Sequence, residues 1–163
     1  NQMSIKMQKG SIMFLTGLIV GVALTLIVIV LVLPKQMFIV NESKYGFNET
    51  IEAIEKSAEE NKWGIPHKYD LQATLKGKGF EVKPVSVFSL CKPDHAYKIL
   101  GSDEERLVSA LMPCRVAVYE KEGKTYVSML NSGLFSKFMG KKVKDVMGDA
   151  SEENKQILAP IVK

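Results

Sequence analysis

Arg115-Val-Ala-Val-Tyr-Glu-Lys-Glu-Gly-Lys-Thr-Tyr-Val-Ser-Met-Leu130 is the stretch on which the reading of this chain turns. Arg115 to Glu120 and Thr125 to Leu130 are β-branched and aromatic runs, and Glu122-Gly123 between them supplies the turn of a β-hairpin. Gly123-Lys124-Thr125 also invites a nucleotide-binding reading. That reading fails, because a phosphate-binding loop needs glycine five residues before Gly123, where Val118 stands, and a helix after Thr125, where the pattern is that of a strand.

Working outward toward the N-terminus, Pro113 stops a short helix through Leu107 and Leu111, with Ser102 and Glu105 as its expected capping box. Pro93 stands at a first helical position and Gly101 at a C-terminal cap, predicting a short helix over 93–100. A strand is expected from Val82 to Leu90, with Pro84 near its start. Tyr69, Leu71, Ala73 and Leu75 alternate with Asp70, Gln72, Thr74 and Lys76, the period of a strand buried on one face, ended by Gly77 and Gly79. Phe47, Ile51, Ile54 and Ala58 share one helical face, with Asn48 as the expected N-cap. Asn48-Glu49-Thr50 and Asn41-Glu42-Ser43 match the glycosylation sequon, which matters only for an exported domain. Met37 to Val40 reads as a first strand.

Toward the C-terminus, Leu134, Phe138, Val143 and Val146 carry helical spacing, with a break expected at Gly148 and a last helix capped by Asp149 and Glu152. The order predicts an α+β domain over residues 35–163, an antiparallel sheet with helices packed on one face. Its length allows a core of its own without disulfides or metal.

Ahead of that domain, residues 1–34 comprise a short tail and a run from Gly10 to Pro34 that carries no charge, flanked by Lys9 and Lys35. About 20 apolar residues cross the ~30 Å hydrocarbon core, so one transmembrane helix is expected. A secretory signal has a shorter apolar region followed by a small-residue cleavage site, which Leu33-Pro34-Lys35-Gln36 does not offer. Lys6 and Lys9 before the run, with no acid, favour a cytoplasmic N-terminus and an extracytoplasmic domain at the cell membrane. The net charge of +4 does not point to nucleic acid, because without Lys6, Lys9 and Lys35 the remainder holds 19 Lys and Arg against 18 Asp and Glu. Lys137, Lys141, Lys142 and Lys144 are read as a solvated helix face.

Several of these segments resemble a known family. Phe47 to Ile54 with its Glu-Thr-Ile-Glu core, Asp70-Leu71-Gln72-Ala73, Cys91-Lys92-Pro93 and Leu111-Met112-Pro113-Cys114-Arg115-Val116-Ala117-Val118-Tyr119 are similar to the family called domain of unknown function 302, over roughly residues 37–135. Lys92-Pro93 stands where that family has Asn-Pro. The resemblance implies a fold like that of the TATA-box-binding protein and no agreed activity or catalytic residues.

Two constellations remain as candidate sites. Cys91 and Cys114 end and begin consecutive strands, and His95 lies one helical turn past Cys91, so Cys91, His95 and Cys114, with Met112, are candidate soft-metal ligands. Cys91 precedes a helix N-terminus, where a thiolate is favoured. Packed free thiols, a disulfide or redox pair, and a metal or haem site are the open alternatives, although covalent haem lacks its Cys-x-x-Cys-His. In the membrane run, Gly17, Gly21 and Thr25 line small residues along one face, which lets a partner helix approach closely.

No hydrolase or zinc-protease motif is present, His67 reads as a loop residue, and no cofactor is required by the sequence. The function expected is that of a non-catalytic accessory or assembly subunit of a larger membrane complex. Its partners would be the bilayer and other membrane subunits, met through the transmembrane helix. A membrane-tethered thiol-redox, metal- or haem-binding protein is the alternative, and a ligand cleft between helices and sheet is a third.

Overall fold

The structure, a computed structural model, describes residues 2–163, with side chains from residue 12 onward. The chain forms two units, residues 1–36 and 37–163. The first is a single helix, α1 (Gln2–Gln36). Its stretch Ile12–Gln36 is long and apolar enough to cross a membrane and none of it is buried. The helix continues two residues past Pro34, where the sequence was expected to end it. The side chains of Lys6 and Lys9 lie outside the described ones.

The second unit runs β1 (Phe38–Glu42), α2 (Phe47–Glu60), β2 (Gly64–Asp70), α3 (Leu71–Lys76), β3 (Val85–Cys91), α4 (Pro93–Leu100), a 3-10 helix (Arg106–Leu111), β4 (Cys114–Lys121), β5 (Lys124–Leu130), α5 (Ser132–Ser136) and α6 (Lys141–Leu158). The five strands form one sheet in the order β1-β5-β4-β3-β2, and every neighbouring pair is antiparallel. This is the α+β class expected. The β4–β5 hairpin turns through Glu122 and Gly123, both at positive φ (53° and 75°), as a two-residue turn matched to strand twist requires.

The core lies on one sheet face. Ile51, Ile54 and Ala58 from α2 and Ala150, Ile157 and Leu158 from α6 join Phe88, Leu90, Val116, Val118, Val127 and Met129 of the strands. Burying such side chains stabilises by about 1.5–3 kcal/mol each relative to exposure. A second cluster, Ile99, Val108, Val143, Val146 and Met147, seats α4 and the 3-10 helix on α6.

The structure corrects several sequence expectations. Leu71–Lys76 is helix α3, not strand, because the Asp70 carboxylate accepts the Ala73 N–H at 2.8 Å and caps a new helix. The strand is Gly64–Asp70, and Leu71 and Leu75, one turn apart, are partly exposed and do not share the core face with α2. Strand β3 starts at Val85, after Pro84, not at Val82. Gly46 rather than Asn48 caps α2, its N–H donating to Glu49 Oε2 at 3.3 Å, which leaves Asn48 inside the first turn. The helix before Pro113 is 3-10 and begins at Arg106, and the Ser102 hydroxyl donates to Glu104 Oε2 at 2.9 Å.

No break occurs at Gly148. A lone glycine costs a helix only about 1 kcal/mol, and the buried stripe Val143, Val146, Met147, Ala150, Asn154, Ile157 carries α6 through it. The interruption falls instead between α5 and α6, where Phe138 is exposed and Gly140 is the N-cap.

Candidate functional site

Glu153, on α6, gathers three donors from distant parts of the chain. Trp63 Nε1–H reaches its Oε2 at 2.8 Å, Lys92 Nζ reaches the same oxygen at 2.6 Å, and His95 Nε2 meets Oε1 at 2.9 Å. Trp63 follows α2 through a turn in which Lys62 takes positive φ, and its ring lies 5.9 Å from that of His95. Lys92 and His95 are the N-cap and first turn of α4. Burial pushes the Glu153 carboxyl up, but the hydrogen bonds from Lys92, His95 and Trp63 outweigh it and hold the group at about 2. An ionised carboxylate only accepts, so His95 Nε2 carries its proton in this contact. His95 Nδ1 is buried without a partner among the described residues.

The thiols stand at one end of the sheet, as their places in the sequence suggested, because β3 and β4 are antiparallel neighbours. Cys114 pairs with Leu90, however, one residue out of step with Cys91, and the pleat sends successive side chains to opposite faces. They are therefore not a cross-strand pair, and both are free. Burial raises the Cys114 thiol, while a hydrogen bond with Asn154 acts in the opposite direction. Cys91, His95, Met112 and Cys114 all border one small cavity of about 20 Å³, together with Trp63 and Lys92. His95 is turned to Glu153, and among the described residues no three His, Cys, Asp or Glu side chains come together as metal ligands.

A larger opening lies on the other side of Cys114. The β4–β5 ladder stops at Val116 opposite Met129. Beyond that point β4 continues to Cys114 alongside β3, and β5 continues to Leu130 alongside β1. The two strands thus part, and a cleft of about 350 Å³ occupies the gap. Phe38 and Leu130 form one side, Leu111, Met112 and Pro113 the other, and Asn154 reaches it from α6. The Met112–Pro113 peptide is cis. Asn154 is 2% exposed and its Oδ1 has no partner among the described residues.

With this geometry in hand, comparison with known proteins identifies the domain. Residues 39–161 match the sequence model of the family described as Domain of unknown function DUF302. The chain belongs to the DUF302 family. The match covers nearly all of the second unit, from the second residue of β1 to just past α6, and extends beyond residue 135, where the sequence resemblance stopped. Among solved structures, the chain is similar to an uncharacterized conserved DUF302 protein from Bacillus stearothermophilus, at 25% identity and a TM-score of 0.69 over 76% of this chain and 96% of that one. No curated protein matches.

Sequence reasoning missed Trp63, Lys92, Glu153 and Asn154 as site residues of this DUF302 domain. A usable signal existed for Asn154, a polar residue on the apolar stripe of α6. The carboxylate cluster had none, since its members come from residues 63, 92, 95 and 153.

The third expected group, Gly17, Gly21 and Thr25, lies on α1. Cβ atoms added at Gly17 or Gly21 would meet nothing within 4 Å. The Thr25 hydroxyl donates to the Gly21 carbonyl at 2.8 Å, so its polar group is already paired within the helix. The three border a shallow depression with Leu18, Val22 and Leu26.

Proposed function

We propose that this DUF302 protein is a non-catalytic accessory or assembly subunit of a membrane protein complex. On this reading α1 crosses the cell membrane once, with the N-terminus cytoplasmic, and the domain, a sheet-and-helix fold like that of the TATA-box-binding protein, lies outside. The observation that carries the reading is the open face of Gly17, Gly21 and Thr25. Without side-chain bulk at Gly17 and Gly21, and with the Thr25 hydroxyl paired, a partner helix can pack backbone against backbone.

Gly17→Ile and Gly21→Ile would separate the helices and reduce co-purification of partner subunits from mildly solubilised membranes. Unchanged co-purification in both variants would remove the assembly role from this face.

A second reading, a membrane-tethered thiol-redox, metal- or haem-binding protein, draws on Cys91, His95 and Cys114 bordering one cavity. Absorbance spectra and metal analysis of the purified chain separate it from the first. A bound chromophore or stoichiometric metal lost in Cys91→Ser or Cys114→Ser would favour the second.

A further inference from the structure

The cleft between the parted ends of β4 and β5 is an opening in the sheet itself. Its apolar lining comes from Phe38 and Leu130 on one lip, Leu111 and Met112 on the other, and Val87 and Ala117 on the floor. The floor follows from register, because Val87 pairs with Ala117 across β3 and β4 and Ala117 with Ser128 across β4 and β5, which places all three on the face opposite the core. An open apolar cavity of this kind, within the size range of ligand sites, is filled by apolar matter or by poorly bonded water.

One formal charge borders it. Arg115 is exposed and lines the cleft, and its guanidinium makes no ion pair or side-chain hydrogen bond among the described residues. Some lysines of this domain do meet acids, Lys68 with Glu55, Lys92 with Glu153, Lys124 with Glu42 and Lys142 with Glu105, but none of these pairs borders the cleft. A guanidinium without an acid beside an apolar cavity is complementary to a carboxylate, which it can bind by two parallel N–H···O bonds.

We infer that this cleft binds a small amphipathic anion, an alkyl chain lying over Val87 and Ala117 with its carboxylate on Arg115. At the roughly 30 Å³ that a water-sized group takes up in a liquid, the cavity has room for about a dozen non-hydrogen atoms, the size of a medium-chain carboxylate. This assignment does not depend on the role of α1.

The test uses the full chain in lipid nanodiscs of zwitterionic lipid, with radiolabelled decanoate as the probe and empty nanodiscs subtracted for partition into lipid. Saturable binding of one decanoate per chain is expected, with decanol and acetate both weaker. Arg115→Gln, at an exposed position where folding is not at stake, should weaken decanoate by about tenfold or more while leaving decanol unchanged. Ala117→Phe fills the floor and should remove binding of both, with circular dichroism confirming that the variant is folded. Absence of saturable binding to the unaltered chain overturns the site. Equal affinity for decanoate in the Arg115→Gln variant overturns the anionic head, and unaltered binding in a folded Ala117→Phe variant places the ligand somewhere else.

Discussion

Replacing Glu153 by glutamine should destabilise the domain by an amount that depends on pH, and the structure sets both size and window. The carboxyl is held at about 2 against an ordinary 4.5, because burial, which raises it, is outweighed by the donors Lys92, His95 and Trp63. A gap of that width corresponds to about 3 kcal/mol of stability by linkage, which we reduce to about 2–3 kcal/mol for solvent screening. Some 29% of the side chain remains exposed.

The sign follows from the direction of the shift. A carboxyl lowered by folding stabilises fully above its unfolded value near 4.5 and loses that contribution as pH falls through about 2. The unaltered chain and Glu153→Gln should therefore differ most at neutral pH, with the difference shrinking below about pH 4.5 and closing only below about pH 2. Glutamine keeps an acceptor for Trp63 but gives up the charge that Lys92 answers. Urea unfolding of the full chain in nanodiscs, followed by the fluorescence of Trp63, reads the contact directly, since Trp63 is the sole tryptophan and donates to this carboxylate. A stability difference under 0.5 kcal/mol at pH 7, or one that stays constant between pH 6 and 2, would refute the reasoning.

Two further substitutions probe the packing. Ile54→Ala, at a residue of zero exposure in the helix-on-sheet core, should cost about 2–5 kcal/mol by urea unfolding, and a loss near zero would mean that α2 does not pack as described. Gly148→Ala should raise stability by about 1 kcal/mol, because Gly148 lies inside α6 and an added Cβ meets nothing within 4 Å; a lower melting temperature would contradict the continuous helix.

Much of the fold was legible because local chemistry and tertiary structure agree. Pro93 opens α4 at its first position as its fixed φ allows, Gly101 stands at the C-cap as expected although in a right-handed conformation, and Glu122-Gly123 turns the hairpin. Where the two levels diverge, the sequence misleads. The alternation from Tyr69 to Lys76 fits a strand, but Leu71 and Leu75 are also one helical turn apart, and a short run satisfies both periods. What separates them is the Asp70 cap, a side chain that supplies the helix with an acceptor just where the strand ends. Gly148 misleads in the other direction, since the cost of one glycine is small against the apolar stripe on either side of it. The candidate site was legible only in part. Cys91, His95 and Cys114 were placed together by topology, but register put the two cysteines out of step, and His95 found its partner on a helix far along the chain.

That partner explains why α6 matters beyond the core. Glu153 and Asn154 are consecutive, so the helix turns them about 100° apart. Glu153 ties Trp63 and the start of α4 together, and Asn154 reaches Cys114 and the cleft beside it. Cys114, with Met112 and Pro113, borders both the small cavity next to His95 and the larger cleft. The ion pair and the opening in the sheet are thus separate pieces of chemistry held by neighbouring residues of one helix. Their roles divide by burial. Glu153 is charged and satisfied, and so acts on stability, whereas Asn154 brings to the cleft a buried amide whose Oδ1 has no partner among the described residues.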